Sequence, residues 1–256
     1  MILVDTHNHL YSEEYIENLD SILKEAVEAG VGAIICVAED LESSRATLSL
    51  AEKYENVYAA IGVHPWTAIN QYDELQEITS LIRDYADHIV AIGEVGLDKK
   101  YDSGEEGWMR QVEAFKQMIE LALELDKPLN IHSRRAASDV LELLKVYRVK
   151  KAHFHWFTDS EDILRDVVSM GYYVSFTPSI TYSKRMMRMS KMVPVKQLLT
   201  ETDGPVPFYG PLKGELTRPC HVKLVYEKLS EIHGYRIEDL ANEVYRNFSK
   251  LYLGIG

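Results

Sequence analysis

The sequence predicts an α/β fold of the (β/α)8 TIM-barrel class, with a metal site at the C-terminal ends of the strands. Short apolar runs rich in Val, Ile and Ala alternate with longer amphipathic stretches, which is the pattern of parallel strands joined by helices. Eight such units occur, and 256 residues is a usual length for one barrel. We therefore expect residues 1–256 to form a single domain.

The strands are expected where β-branched and other apolar residues cluster between turn residues. In a parallel barrel both faces of a strand are covered, so continuous apolar runs are typical. The predicted strands are 2–7, 32–37, 57–62, 89–95, 128–131, 149–154, 171–175 and 197–201.

Helices are predicted where apolar residues recur every three or four positions and a stop signal follows, such as Gly30, Pro128 or Gly234. The segments 176–196 and 204–218 are expected to be irregular. Both follow late strands, on the side where barrels build their sites. The predicted helices are 13–29, 41–53, 71–86, 105–126, 135–147, 160–169, 219–233 and, packed on the outside, 236–252.

The composition limits the class of protein. The 28 basic and 40 acidic residues give a net charge of −12, which counts against a broad cationic surface for nucleic acid. Cys36 and Cys220 lack a Cys-x-x-Cys spacing, so we expect neither a disulfide framework nor a thiolate zinc site. The sequence lacks a membrane-length apolar run and an N-terminal signal segment, so we expect a soluble cytoplasmic protein with no obligatory protein partner.

Six residues of metal-ligand type fall at the C-terminal ends of predicted strands. Alternation along the first strand points His7 and His9 to the same side. A barrel gathers its strand ends on one concave face, whereas chance would scatter such residues over helices and loops. The six candidate ligands are His7, His9, Glu94, His132, His155 and Asp203.

Six ligands exceed what one four-coordinate ion needs, so the pattern predicts two divalent ions that share Glu94. Imidazole and carboxylate ligands suit resident Zn²⁺ or Mn²⁺, and open positions would accept Mg²⁺ with its waters. His153 is an alternative ligand, because alternation points it the same way as His155. The predicted sets are His7, His9, Glu94 and Asp203 for one ion, and Glu94, His132 and His155 for the other.

The predicted chemistry is hydrolysis. Metal ions acidify a bound water and stabilise the charge that gathers on an attacked phosphorus. Asp203 is the expected proton acceptor and Glu94 the bridge. Glu201 lies two residues before Asp203 and is expected to orient Asp203, a ligand or a water. A strand-end carboxylate paired with a cation is the alternative for Glu201.

These residues lie in motifs that resemble the TatD family of metal-dependent deoxyribonucleases, within the amidohydrolase-like barrels, over nearly the whole chain. The resemblance implies a 3′-to-5′ exonuclease acting on DNA, with RNA left open, and turnover supported by Mg²⁺ or Mn²⁺. It assigns metal ligation to the same six residues and favours His155 over His153. The motifs are Asp5-Thr6-His7-Asn8-His9, Gly62-Val63-His64-Pro65, Gly93-Glu94-Val95-Gly96-Leu97-Asp98, residues 128–139, His155-Trp156-Phe157-Thr158 and Glu201-Thr202-Asp203-Gly204-Pro205.

Substrate contacts are expected from a few local residues. Arg134, Lys99 and Lys100 are candidate phosphate contacts. His64 resembles a substrate-contacting donor of the family, and a polar loop residue fixed by Pro65 is the alternative. The basic run Lys184, Arg185, Arg188 and Lys191 is interleaved with methionines, and it is a candidate phosphate contact, a lid, a partner surface or a solvated helix face. Trp156 and Tyr101 are candidates for base stacking, and packing at the rim of the barrel is the alternative.

Three departures from the family pattern affect the substrate side. Lys99 and Lys100 precede Tyr101 where the family places an aromatic residue directly after Asp98. Asp159 stands where the family has Gly, and residues 214–219 replace an Arg-Asn-Glu-Pro run. Substrate contacts in these segments are therefore not transferred from the family.

Two other functions fit part of the pattern. A small-molecule hydrolase of the same barrel group would open an amide, lactone or phosphoester with the same two ions, and the acidic composition favours it. The other function is that of a non-catalytic barrel in which metal only stabilises the fold. The presence of Asp203 and Glu201 disfavours this second alternative.

Overall fold

Eight parallel strands form the inner wall of the protein in a computed structural model, which describes residues 1–101 and 104–255. Each strand is hydrogen-bonded to the next one along the chain, in the order β1 to β8. This confirms the predicted (β/α)8 barrel. The strands are β1 Leu3–Asn8, β2 Val31–Val37, β3 Val57–Ile61, β4 Ile89–Gly96, β5 Leu129–His132, β6 Ala152–Phe154, β7 Tyr173–Phe176 and β8 Leu198–Thr200.

The helices cover the outside of this wall. Asp40 caps α3 in a reciprocal pair of hydrogen bonds with Ser43, Ser160 caps α8, and Gly234 in the left-handed region ends α10. The helices are α1 Glu13–Ile16, α2 Leu19–Glu28, α3 Leu41–Lys53, α4 Pro65–Asn70, α5 Leu75–Asp84, α6 Gly104–Glu124, α7 Ala137–Val146, α8 Glu161–Ser169, α9 Lys184–Ser190, α10 Val222–His233 and α11 Ile237–Phe248, followed by a π-helical turn, Ser249–Leu253.

Several predicted boundaries are wrong for local reasons. The predicted helix 13–29 is two helices, α1 and α2, and the predicted helix 71–86 begins with a 3-10 turn before α5. The short helix α4 was not expected, although Pro65 at its first turn is a known start signal. The segment 176–196 is not irregular throughout, because it contains a 3-10 turn and α9.

The sixth strand is shorter than predicted because its first residues finish the preceding turn. The backbone N–H of Val149 donates to the carbonyl of Leu144 over 3.0 Å, which closes the turn after α7. The strand therefore begins only at Ala152.

Side chains join β8 to β1 and close the barrel. Thr200 Oγ1 donates to the carbonyl of Val4 over 2.8 Å, and Thr6 Oγ1 donates to the carbonyl of Thr200 over 3.0 Å. Beyond the end of β8, the backbone N–H of Asp203 donates to the carbonyl of His7 over 2.9 Å. This seam brings the residues after β8 next to the end of β1.

Glycines allow β4 and β5 to approach closely at the same end of the barrel. A Cβ on Gly96 would lie 2.0 Å from the carbonyl oxygen of His132, and Gly96 has a φ of +143°. Only glycine fits such a position without strain. The close approach holds Glu94 beside His132.

In the part of the chain that the structure describes, no helix is long and apolar enough to cross a membrane.

We predict that Thr200→Val lowers the free energy of unfolding by about 1–3 kcal/mol, because it leaves a buried carbonyl without its donor at the seam. Urea unfolding monitored by circular dichroism would measure the change. Thr181→Val is the matched control, since Thr181 is partly exposed and, among the described residues, its Oγ1 bonds only the carbonyl of Pro178, within a 3-10 turn. Equal stability losses in the two variants would contradict the role of the seam.

Candidate metal centre

The structure brings all six candidate ligands to the mouth of the barrel. Each residue belongs to the C-terminal end of a strand or to the residues just after it. Glu94, on β4, lies at the centre of the group and is 3% exposed. Its two carboxylate oxygens face two different sets of imidazoles.

The Oε2 atom of Glu94 belongs to a group with His7, His9 and Asp203. The Nε2 atoms of the two histidines lie 3.3–3.8 Å from Glu94 Oε2 and Asp203 Oδ1. Four ligands held tetrahedrally at metal-ligand bond lengths would lie about 3.3–3.6 Å apart. The group therefore has the spacing of atoms arranged around a cation.

The ring of His7 provides a direct test of that fit. Its Nε2 atom is buried and, among the described residues, has no hydrogen-bond partner. An unsatisfied buried nitrogen costs free energy unless something else binds it. A divalent cation held by these four residues would satisfy Nε2, so the residues present fit a metal.

The Oε1 atom of Glu94 belongs to a more compact group. It lies 2.5 Å from His132 Nδ1 and 2.8 Å from His155 Nε2. These are hydrogen-bond lengths, so a second cation here would need the side chains to separate. His64 Nε2 lies 3.6 Å from the same oxygen, which adds His64 to the possible ligands.

Ligand atoms of three overlapping sets of residues lie within 4.8 Å of one another. Glu94 is common to two sets and His7 to two. The sets are His7, His9 and Glu94; His64, Glu94 and His132; and His7, His155 and Glu201.

Burial and charge oppose each other at the carboxylates. Burial disfavours ionisation of Glu94, but the neighbouring imidazoles, led by His155, hold its pKa well below the usual range. Burial likewise opposes ionisation of Asp203, and the hydrogen bond from His9 helps to lower its pKa. Both groups are therefore carboxylates at neutral pH and available to a cation.

Burial of Glu201 is complete, and it raises the pKa of this carboxyl to about 8. Glu201 Oε1 accepts a hydrogen bond from the backbone N–H of Trp156 over 2.6 Å and lies 4.0 Å from His155 Nδ1. The structure thus places Glu201 beside the ring of His155 and behind the ligand cluster.

Three further residues hold the outer nitrogens of the candidate ligand rings, and the sequence did not assign them this role. Asn130 Oδ1 lies 2.9 Å from His7 Nδ1, and Asp98 Oδ2 lies 2.8 Å from His132 Nε2. The Tyr11 hydroxyl lies 3.1 Å from His9 Nδ1. Such partners orient metal-binding imidazoles. Asn130 had a signal in the sequence, since it lies two residues before His132.

His153 has both ring nitrogens engaged, which removes the case for it as a metal ligand. Its Nδ1 lies 2.6 Å from the Tyr252 hydroxyl and its Nε2 lies 2.6 Å from Ser175 Oγ. Burial lowers the pKa of His153 well below its ordinary value, so the ring is neutral.

A cavity of about 440 Å³ opens over the centre. Arg134, Lys100 and Tyr101 line it together with five of the candidate ligands, His9, Glu94, His132, His155 and Asp203. The guanidinium of Arg134 donates to Asp98 Oδ2 over 2.7 Å through Nε. Of the two candidate lysines, Lys100 lines the cavity, whereas Lys99 does not and has its Nζ 2.6 Å from Asp139 Oδ2.

The predicted basic run has a structural role on α9. Arg185 donates to the carbonyls of Thr158 and Asp159, and Arg188 pairs with Glu161. Met186 and Met189 are buried. The arginines therefore bond the loop after β6, which contains Trp156, and the first residue of α8. Trp156 also lines the cavity and packs against Phe208, with ring centroids 5.3 Å apart.

The barrel and its ring of histidines and carboxylates define a metal-dependent hydrolase. The family model of the TatD related DNases matches residues 4–253, and the chain belongs to that family.

Individual proteins resemble the chain over nearly its whole length. The uncharacterized metal-dependent hydrolase YabD of Bacillus subtilis is 33% identical, covering 98% of this chain and 99% of its own. The human deoxyribonuclease TATDN3 is 30% identical, covering 98% of this chain and 94% of its own. The crystal structure of the TatD homologue YJJV of Escherichia coli superposes with a TM-score of 0.91 at 27% identity, covering 99% of this chain and 98% of that one.

We predict that Asn130→Ala weakens metal binding about 10- to 100-fold, because the ring of His7 loses the acceptor that fixes its orientation. Titration calorimetry of the metal-free protein with Mn²⁺ would measure this. Asn247→Ala is the matched control, since Asn247 is a buried amide whose side-chain partners, within the described ranges, are only the carbonyls of Val195 and Leu198. Unchanged affinity in a folded Asn130→Ala protein would refute the assignment.

Proposed function

We propose that this protein hydrolyses phosphodiester bonds of DNA, as a 3′-to-5′ exonuclease with two divalent ions bridged by Glu94. The main support for the proposal is that the two carboxylate oxygens of Glu94 face different pairs of imidazoles. Oε2 faces His7 and His9, and Oε1 faces His132 and His155. A carboxylate shared in this way is typical of two-metal hydrolytic sites.

The ions, when bound, supply positive charge for the attacked phosphoryl group and acidify water. The protein supplies the rest. Asp203 is ionised and faces the cavity, so its carboxylate accepts the proton that the attacking water loses. Glu201 lies behind the ligands, where it orients His155.

Charge in the cavity supports a metal-assisted reaction on an anion. Glu39, Glu94 and Asp203 all line the cavity and repel phosphate. Bound cations reverse this repulsion at the centre, while Arg134 and Lys100 attract phosphate from the rim. His64 also lines the cavity and is proposed as a substrate donor or a further ligand. The cavity is of small-ligand size, which suits the end of a strand rather than a long footprint.

The human relative's name supports DNA as the substrate. A small-molecule phosphoester, lactone or amide is the second candidate, favoured by the net charge of −12 and by the carboxylate of Glu39 at the cavity wall.

We predict that Asp203→Asn keeps the fold and abolishes turnover, with a loss of at least about 100-fold, because a charged ligand and proton acceptor is removed at constant volume. The measurement is time-resolved cleavage of single-stranded DNA labelled at its 5′ end, with Mn²⁺ or Mg²⁺ and with chelator. The expected result is a metal-dependent ladder that shortens from the 3′ end and is absent in the variant.

Asp126→Asn is the matched control, because Asp126 lies before β5, away from the C-terminal strand ends, and pairs with Lys151 over 2.8 Å. Intact DNA with every metal, together with turnover of uncharged lactones or amides, would replace the nuclease with the small-molecule hydrolase. A near-normal Asp203→Asn enzyme would reject the role of Asp203 under either reaction.

A further inference from the structure

A row of polar side chains crosses the interior of the barrel. The ring of His153 lies between the Tyr252 hydroxyl and Ser175 Oγ, at 2.6 Å from each. Ser175 donates to Glu201 Oε2 over 2.7 Å, and Asn130 Nδ2 donates to the Tyr252 hydroxyl over 3.2 Å. None of these five side chains is more than 5% exposed, so solvent does not compete for their hydrogen bonds.

The two ends of the row reach two candidate metal ligands. At one end Asn130 Oδ1 lies 2.9 Å from His7 Nδ1. At the other end Glu201 Oε1 lies 4.0 Å from His155 Nδ1, a buried nitrogen without a hydrogen-bond partner among the described residues. The rings of His7 and His155 are stacked, with centroids 3.8 Å apart and planes 9° from parallel. One row of side chains therefore lies behind both rings.

The backbone fixes the direction of the first hydrogen bonds. Asn130 Nδ2 lies 3.1 Å from the carbonyl of Thr6, which can only accept. The amide nitrogen must therefore face Thr6, and the amide oxygen must face His7. His7 consequently carries its hydrogen on Nδ1 and leaves the Nε2 lone pair for a cation.

Glu201 fixes the rest of the row when it is a carboxylate, the form that a cation at the neighbouring ligands would favour. A carboxylate can only accept, so Ser175 gives its one hydrogen to Glu201 and accepts from His153 Nε2. A neutral imidazole that donates at Nε2 accepts at Nδ1, so the Tyr252 hydroxyl donates to His153. Every hydrogen bond thus points from Asn130 towards Glu201.

We propose that His153 and Tyr252 are positioning residues in one directional chain of hydrogen bonds, which holds the ring of His7 through Asn130 and places the carboxylate of Glu201 beside the ring of His155. This inference rests on the metal-binding part of the proposed function and not on the substrate. Tyr252 comes from the π-helical turn after α11, so the end of the chain helps to organise the opposite end of the barrel. A break in the row loosens Asn130, and with it the ring of His7, or moves the carboxylate of Glu201 that lies beside the ring of His155.

Two variants break the row at different points. Tyr252→Phe removes the hydroxyl between Asn130 and His153, and Ser175→Ala removes the donor to Glu201. We expect each to weaken Mn²⁺ binding to the metal-free protein about 10-fold or more by titration calorimetry. The double variant should be within about twofold of the weaker single variant, because both changes interrupt one chain.

Tyr172→Phe is the matched control, since Tyr172 is a buried tyrosine whose hydroxyl donates to the carbonyl of Val149 over 3.0 Å, outside this row. It should keep the affinity for Mn²⁺. Binding by folded Tyr252→Phe within about twofold of the wild type would overturn the proposal, as would fold-losses that multiply in the double variant. If Tyr252→Phe does not fold, Ser175→Ala decides by the same criterion. The readout uses no DNA, so failure of the nuclease proposal would be seen separately.

Discussion

The buried carboxylate of Glu94 is the group on which the rest of the site depends. A carboxylate at 3% exposure is strongly destabilised unless positive or hydrogen-bonding groups surround it. Imidazoles surround it on both sides, from His7 and His9 to His132 and His155. The two halves of the cluster are therefore held together by one charged side chain.

The barrel provides the distances that this arrangement requires. The seam between β8 and β1 places Asp203 beside His7, and Gly96 lets β4 approach β5 so that Glu94 meets His132. The six candidate ligands come from the ends of five strands, β1, β4, β5, β6 and β8, or from the residues just after them, so no local segment could form the site alone. Closure of the barrel and assembly of the candidate metal site therefore depend on the same few backbone contacts.

The sequence predicted the strands and the candidate ligands because both follow simple periodic rules. Alternation along β1 is enough to pair His7 with His9, and strand ends of a barrel converge. The sequence could not show that Lys99 contacts Asp139 while Lys100 lines the cavity, because the conformation of the loop after β4 determines which lysine faces the cavity. The part played by Tyr252 was equally hidden, since a helix-end tyrosine gives no sign of reaching His153 across the barrel.

The most direct test of the shared carboxylate is the electron paramagnetic resonance spectrum of the protein titrated with Mn²⁺. We predict that the protein binds two ions per chain and that the second equivalent gives the exchange-coupled spectrum of two ions bridged by one carboxylate. Glu94→Gln should lose the coupling. One ion per chain, or two ions with the uncoupled spectrum of isolated Mn²⁺, would contradict it.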